Sequence, residues 1–227
     1  MQESSKNIIE CLDRSHIRGT EIFIRAKVND LEFDIKNKDI MGGLIQSWFE
    51  KFLDKNGIKW HDRGTQTYPD FILENNEYLE VKCYFKDATP AFDLANFKSF
   101  IDSVIKDPKR LNSDYLVFNY NFDDTIGIHD YFCKKIWEMT ADHSTGKYKG
   151  QITAQVKKGT IVNLRPYNFI KYPERSYDSR YSFVKKIQQK IRVHSKQLIN
   201  EKCEYRNDEE WFDILNKRYS NFYNQDL

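Results

Sequence analysis

Apolar residues recur at helical spacing early in the chain and predict an amphipathic helix. Six apolar residues between Leu44 and Leu53 fall on one side of a helix, and Gly57 supplies the expected stop. Gln46 and Glu50 stand one turn apart on its polar flank. Before this helix, residues 8–39 have mixed periodicity, from which we predict a helix followed by extended segments at 21–28 and 31–35.

A β-hairpin is predicted after a polar loop at 59–68. Two apolar runs, Phe71–Leu73 and Tyr78–Phe85, flank Asn75-Asn76. Asparagine tolerates the backbone conformations of tight turns, so the pattern indicates two antiparallel strands joined by a short loop.

The remaining pattern alternates between strands and helices. Asp93 is placed to N-cap a helix over 94–105. The other predicted elements are a buried central strand at 115–120, a short strand at 126–128, a helix at 131–140, a loop at 142–150, strands at 152–156 and 160–164, and a helical last third with Lys185, Lys186, Lys190 and Lys196 off its apolar face. With neither a linker nor an internal repeat, the economical interpretation is one α/β domain with a helical C-terminal part.

Composition narrows the class of protein. The chain has 227 residues with nine Gly and five Pro, which argues against a disordered or collagenous chain. No apolar run approaches the roughly 18 residues of a membrane span, and residues 1–6 are polar without a signal-peptide core behind them, so we expect a cytoplasmic protein. The four cysteines lack zinc-ligand spacing and are predicted to be free thiols, and no P-loop or Ser/His/Asp order is present.

The net charge of +2 conceals a partition of charge along the chain. Residues 134–206 contain 17 Lys+Arg and six Asp+Glu, a net charge of +11, so the rest of the chain carries −9. Tyrosines are interleaved with these cations. Such stretches are typical of surfaces that follow nucleic-acid phosphates, although lysines on solvated helix faces give the same count.

One motif carries clear chemistry. Pro69-Asp70 is followed after nine residues by Glu80-Val81-Lys82. Because strand side chains alternate, Glu80 and Lys82 project from one face. These residues would form a workable site for phosphodiester hydrolysis. The two carboxylates would bind Mg²⁺, and the lysine beside them would orient a water or neutralise a phosphate. The alternative is an ordinary surface ion pair between Glu80 and Lys82.

The length of the hairpin loop tests the metal-site interpretation. A two-residue turn at Asn75-Asn76 would set Asp70 opposite Val81, on the wrong face. For Asp70 to share a metal ion with Glu80, the loop must be odd, for example 74–76 with Asp70 opposite Glu80, or a bulge must intervene. We predict one of these two arrangements.

At these residues a family resemblance appears. TyrProAspPheIleLeu at 68–73 and TyrLeuGluValLysCys at 78–83 resemble the PD-(D/E)xK nuclease motif, and the chain is similar to type II restriction endonucleases of that superfamily. Further similar stretches are residues 64–68, the segment 134–138 taken as helical, and 159–169. The resemblance implies a restriction-endonuclease-like core with a mixed central sheet flanked by helices. The domain would span 1–227, with a catalytic core at about 40–130 and a basic DNA-recognition and C-terminal helical part at about 134–206.

The resemblance also implies roles for individual residues. Asp70 and Glu80 would bind Mg²⁺ with the Val81 carbonyl, and Lys82 would be the catalytic lysine. Such nucleases often add an acid from the preceding helix, for which Glu50 is the candidate, with Gln46 one turn before it; a solvated glutamate is the alternative. The products would carry 5′-phosphate ends.

Several polar residues are candidates for contacting DNA, because amide and cationic side chains can read base edges. These are Asn96, Lys147, Lys149, Gln151, Gln155, Lys157, Asn163 and Arg165. The alternative is that the cations contact only phosphates, which would position the protein without specifying a sequence.

Three hypotheses follow. The first is a Mg²⁺-dependent type II restriction endonuclease that cuts double-stranded DNA, a homodimer because a symmetric site needs two active sites, with a cognate DNA methyltransferase as companion activity. The second is a structure-specific repair or recombination nuclease of the same fold. The third is a catalytically inactive DNA-binding module, against which the intact Asp70, Glu80 and Lys82 argue.

Overall fold

The structure is a computed structural model that describes residues 1–22, 25–34, 40–64, 67–122, 126–201 and 207–218. Internal contacts divide the chain into two compact units. The first unit comprises residues 1–89 and 113–134, and the second comprises residues 90–112 and 135–227.

Two helices and most of the strands belong to the first unit. The helices are α1 (Glu3–Arg14) and α2 (Met41–Lys55). The strands are β1 (Glu21–Ile22), β2 (Arg25–Val28), β3 (Leu31–Asp34), β4 (Trp60–His61), β5 (Phe71–Leu73), β6 (Tyr78–Phe85), β8 (Asp114–Phe122) and β9 (Ile126–Lys135), the last of which ends one residue into the second unit.

A mixed sheet forms the centre of the first unit. Among the described residues its order is β1-β9-β8-β6-β5-β4, and β2 pairs with β3 apart from it. Strand β6 runs parallel to β8 and antiparallel to β5. The predicted hairpin and the predicted central strand at 115–120 are therefore confirmed.

Helix α2 packs on strand β6 and supplies much of the core of this unit. Phe49 of α2 is fully buried, with its ring 5.3 Å from that of Phe71 and 6.0 Å from that of Phe118. The aromatic face of the predicted helix thus holds β5 in place from behind, since aromatic pairs at these distances are favourable. Asp70, the residue before β5, is positioned by this packing.

The second unit combines a small sheet with helices. Its described elements are strands β7 (Ala95–Asn96), β10 (Ala154–Lys157) and β11 (Thr160–Leu164), and helices α3 (Phe97–Lys106), α4 (Arg180–Val193), α5 (Ser195–Asn200) and α6 (Asp208–Arg218). The strands form an antiparallel sheet in the order β10-β11-β7. Its helices pack through the fully buried Trp211, whose indole N–H donates to the Ile101 carbonyl at 3.0 Å.

One predicted element is wrong, and another begins three residues later than predicted. Residues 131–135 continue strand β9 and a 3₁₀ turn occupies Ile136–Met139, so there is no helix at 131–140 and the segment 134–138 is not helical. Tyr131 and Phe132 favour a strand, and only the spacing of Ile136 and Met139 imitates a helix. Helix α3 begins at Phe97 rather than Leu94, because Ala95 and Asn96 pair with β11 and Asn96 is the N-cap.

Cys11, Cys83 and Cys133 are thiols, as predicted, and Cys203 lies outside the described residues. Thr65 and Gln66 also lie outside them. No described helix combines the length and the apolar composition that crossing a bilayer requires.

Candidate active site

The hairpin of β5 and β6 has the odd loop that a shared site requires. Phe71 pairs with Leu79 and Ile72 with Tyr78, and this register continues to Asp70 opposite Glu80. The three-residue loop at 74–76 is closed by the Leu73 N–H, which donates to the Glu77 carbonyl at 2.8 Å. The predicted loop parity is confirmed.

Asparagine makes this loop possible. Asn75 and Asn76 both have left-handed backbone conformations, with φ of 62° and 57°. Side chains with a branched Cβ are strongly disfavoured there, whereas asparagine is enriched. The two asparagines that suggested a turn therefore also set its length, and so the face on which Asp70 lies.

Asp70, Glu80 and Lys82 form one hydrogen-bonded cluster. Lys82 Nζ donates to Glu80 Oε1 at 2.6 Å, and the Asp70 N–H donates to Glu80 Oε2 at 3.2 Å. The Val81 N–H donates to Asp70 Oδ2 at 2.8 Å. The structure thus brings together four of the predicted site residues, with Val81 contributing through its backbone.

The cluster is partly withdrawn from water and short of positive charge. The side chain of Glu80 is 9 % exposed and that of Lys82 is 22 % exposed. Burial, and then the nearby negative charge of Glu80, raise the pKa of Asp70 from 3.8 to about 6, against the lowering effect of Lys82. The single ammonium group of Lys82 does not neutralise the two carboxylates, so the cluster has a net charge of −1 when all three groups are ionised.

Gln46, Glu50 and Cys83 do not belong to the hydrogen-bonded cluster. Gln46 and Glu50 are half-buried on α2. Within the described ranges no three His, Cys, Asp or Glu side chains are arranged to hold a metal ion, so Glu50 does not complete a three-carboxylate group with Asp70 and Glu80. Burial raises the pKa of the Cys83 thiol to about 11, so Cys83 stays protonated at neutral pH.

The candidate DNA-contacting residues all lie in the second unit and fall into two groups. Lys147, Lys149 and Lys157 are exposed, so their charges are available to a polyanion. The other five, Asn96, Gln151, Gln155, Asn163 and Arg165, hydrogen-bond within the protein.

Two residues of the second group form hydrogen bonds that stabilise the fold. Asn96 caps α3 by accepting from the Ser99 N–H at 3.0 Å. Gln151 Oε1 accepts from Lys190 Nζ at 2.8 Å. Sequence reasoning missed Lys190, which is 1 % exposed rather than solvated, because its ammonium reaches a loop that is distant in sequence.

The charge partition follows the two units. The first unit contains 14 Lys+Arg and 20 Asp+Glu and the second 22 and 14, so they carry net charges of −6 and +8. These boundaries come from contacts within the fold rather than from the charges. The cluster of Asp70, Glu80 and Lys82 and the net positive charge of the chain therefore belong to different structural units.

Comparison with known proteins decides the family. The sequence profile described as NgoBV restriction endonuclease matches residues 2–227. The chain belongs to the NgoBV restriction endonuclease family. The predicted resemblance to type II restriction endonucleases is confirmed.

Individual relatives agree with this assignment. The chain is 34 % identical over 190 residues to the type II restriction enzyme NlaIV of Neisseria lactamica, covering 79 % of this chain and 76 % of that protein. It is 35 % identical over 138 residues to the type II restriction enzyme NgoBV of Neisseria gonorrhoeae, covering 57 % and 77 %.

A solved structure extends the likeness to the fold. The NlaIV restriction endonuclease structure superimposes with a TM-score of 0.81 and 28 % identity, over 99 % of this chain and 91 % of that one. The predicted α/β fold with a mixed central sheet, flanking helices and a helical C-terminal part is therefore confirmed.

Proposed function

We propose that this member of the NgoBV family is a type II restriction endonuclease that hydrolyses phosphodiester bonds of double-stranded DNA at a specific sequence. Hydrolysis depends on Mg²⁺ and leaves 5′-phosphate ends. The observation that carries the proposal is the hairpin register, which sets Asp70 opposite Glu80 and beside Lys82. An ordinary surface ion pair between Glu80 and Lys82 would not require Asp70 at the same place.

The donor atoms of the cluster suit a hard divalent cation. Mg²⁺ in enzymes is commonly held by one or two carboxylates together with substrate phosphate oxygens. Burial and then repulsion from Glu80 raise the pKa of Asp70, and a bound cation would offset both effects. Asp70 and Glu80 would hold it, with the Val81 carbonyl as a third oxygen. When bound, Mg²⁺ would supply an activated water and neutralise charge on the phosphate.

The side chains of the cluster position the reaction. The Val81 N–H fixes Asp70 Oδ2, which leaves the rotation of this carboxylate little freedom. Lys82 is held by Glu80 at 2.6 Å and is only partly exposed, so its ammonium has a defined position. From there it orients the attacking water and stabilises the negative charge that builds on the phosphate in the transition state.

The two units suggest a division of labour. The net charge of +8 on the second unit would provide the attraction for DNA, since Lys and Arg displace the counterions condensed on the duplex. We propose a homodimer, because cutting both strands of a symmetric site needs two active sites related by a two-fold axis. A companion methyltransferase would protect the same sequence in the host.

The test compares Lys82→Met with Lys59→Met. Both lysines pair with a glutamate, since Lys59 Nζ lies 3.3 Å from Glu74 Oε1 on an exposed part of the same unit. We expect the single-turnover cleavage rate of Lys82→Met with Mg²⁺ to fall roughly 100- to 1000-fold. The Lys59→Met rate should stay near the native value, and DNA binding should persist in both.

Two outcomes would count against the proposal. Native-like cleavage by Lys82→Met would remove the proposed role of this lysine. Native protein that leaves phage DNA intact with Mg²⁺, or cuts only branched DNA, would remove the assignment as a site-specific nuclease. Ligation of the native fragments without a kinase step tests for 5′-phosphate ends.

A further inference from the structure

The sheet β10-β11-β7 has one buried face and one polar face. Leu164, in the central strand, pairs with Ala154 on one side and Ala95 on the other. Leu164 is fully buried and Ala95 is 7 % exposed. Since successive strand residues alternate, the neighbours of Leu164 in β11 project from the opposite face.

Three amide side chains cross that opposite face in one row. Gln155 pairs with Asn163, and Asn163 pairs with Asn96, so the row spans all three strands. Residues paired in antiparallel strands lie side by side on one face. Asn163 Nδ2 donates to Gln155 Oε1 at 3.4 Å, which orients the two amides relative to each other.

Arg165 extends this row along the sheet. Its N–H donates to the Thr153 carbonyl at 3.2 Å, which continues the β10-β11 register beyond Leu164. Arg165 is therefore two residues from Asn163 in the same ladder and projects from the same face. Its side chain is 31 % exposed.

Asp93 restrains Arg165 through its Nε atom and leaves its two Nη groups outside that bond. Arg165 Nε donates to Asp93 Oδ1 at 2.9 Å. The two terminal Nη groups, which form the fork of a guanidinium, are outside this bond. Reading a base requires donors that are held in one orientation before binding, because fixing a long side chain during binding costs affinity.

We propose that this polar face reads base edges in the major groove, with Arg165 donating both Nη groups to the O6 and N7 atoms of a guanine. The inference rests on the proposed function and adds to it a specificity-determining residue and the base that it selects. Some DNA-binding proteins place the strands of a sheet in the major groove, and an arginine fork on guanine is the commonest specific contact there. The exposed Lys147, Lys149 and Lys157 supply phosphate contacts, which carry no sequence information.

The experiment selects bound duplexes from a randomised DNA pool with Ca²⁺, an oxygen-liganded cation of the same charge as Mg²⁺. It compares the native chain, Arg165→Lys and Arg192→Lys. Arg192, on α4, is the matched control because its Nε likewise donates to an aspartate, Asp208 Oδ2, at 2.8 Å. Lysine retains the charge but not the fork, so phosphate contacts survive the change.

We expect the native chain to select a common motif that contains guanine. In the Arg165→Lys pool, discrimination at one guanine position of each half-site should fall by about 5- to 150-fold, with the rest of the motif kept. The Arg192→Lys pool should match the native pool. Asp93→Asn, which keeps the arginine and weakens its restraint, should lower the preference at the same position and serves if Arg165→Lys fails to fold.

An unchanged motif with Arg165→Lys would overturn the inference, as would a native motif without guanine or no motif at all. Failure of the proposed function looks different. A guanine motif that depends on Arg165, without cleavage in Mg²⁺, refutes the nuclease and supports the reading face. Cleavage at the same single sequence by native and Arg165→Lys protein supports the nuclease and refutes the role of Arg165 in reading bases.

Discussion

Replacing Asp70 by asparagine should make the metal-free protein more stable at neutral pH. The pKa of Asp70 is raised from 3.8 to about 6, first by burial and then by the charge of Glu80. An ionised Asp70 is therefore less favourable in the folded chain than in the unfolded one. Asparagine has no charge, and its carbonyl oxygen can still accept the Val81 N–H that Oδ2 accepts in the native chain.

The size of the effect follows from the shift. A rise of the pKa from 3.8 to about 6 corresponds to about 3 kcal/mol between the two protonation states. Because the folded pKa lies above the unfolded one, the contribution of this carboxyl to stability is complete below about pH 4 and is lost as the pH rises through 6. The advantage of Asp70→Asn should therefore be small near pH 4 and grow to at most about 3 kcal/mol by pH 7.5.

Urea unfolding in EDTA at several pH values between 4.5 and 7.5 measures this difference. Asp87→Asn, at an exposed position directly beyond β6, controls for the loss of an aspartate. The variant lacks one carboxylate ligand, so Mg²⁺ should stabilise the native chain more than the variant. Mg²⁺ at 100 times its dissociation constant, worth about 2.7 kcal/mol, should cancel most of the advantage, and at 1,000 times, worth about 4.1 kcal/mol, it should reverse the order. If Asp70→Asn has no advantage over native protein in EDTA at pH 7.5, or an advantage that is as large at pH 4.5, the electrostatic reasoning is refuted.

Three further changes test other parts of the fold by urea unfolding. Gly127→Ala should destabilise by about 1–3 kcal/mol, because its Cβ would lie 2.8 Å from Asn121 Oδ1 and 3.0 Å from a backbone oxygen; native stability would contradict that crowding. Asn96→Ala should cost about 1 kcal/mol through the lost cap of α3, and a neutral result would show that the cap is dispensable. Burial lowers the pKa of Lys190 from 10.5 to about 8. The stability of native protein relative to Lys190→Met should therefore rise by up to about 3 kcal/mol as the pH rises from 8 to 10.5. A stability difference that does not change with pH would show that burial does not destabilise the charged form of Lys190.

The hairpin could be predicted in detail because local rules decide it. Asn75-Asn76 marked the turn, and the period of two along a strand then tied the loop length to the face of Asp70. The same reasoning allowed a two-residue and a three-residue loop. Only the chemistry of a shared site favoured the second, and the observed pairing of Phe71 with Leu79 agrees with it.

Other elements depended on contacts that sequence patterns do not contain. Asp93 is as good a cap as Asn96 by residue type, but pairing of Asn96 with Asn163 delays the start of α3 and leaves Asp93 to bind Arg165. Lys190 follows the spacing of a solvated lysine, yet its ammonium is buried against Gln151. In both cases the deciding partner is more than 30 residues away in the sequence.

The opposite net charges of the two units affect how the protein would approach DNA. Asp70, Glu80 and Lys82 together carry a net charge of −1 when ionised, within a unit of net charge −6, so the metal-free cluster repels phosphate. We therefore expect the cations of the second unit to supply the attraction for DNA, and this binding to weaken steeply with salt. On the proposed function, neutralising Asp70 or Glu80 should have opposite effects on binding and on hydrolysis. It should favour the approach of DNA in EDTA, and it should remove a ligand of the proposed metal ion. If the cluster performs the proposed hydrolysis, it would be retained for that activity at a cost to the stability of the fold and to the affinity for DNA. Asp70 is the member of the cluster whose pKa is raised, so we expect its replacement to stabilise the chain.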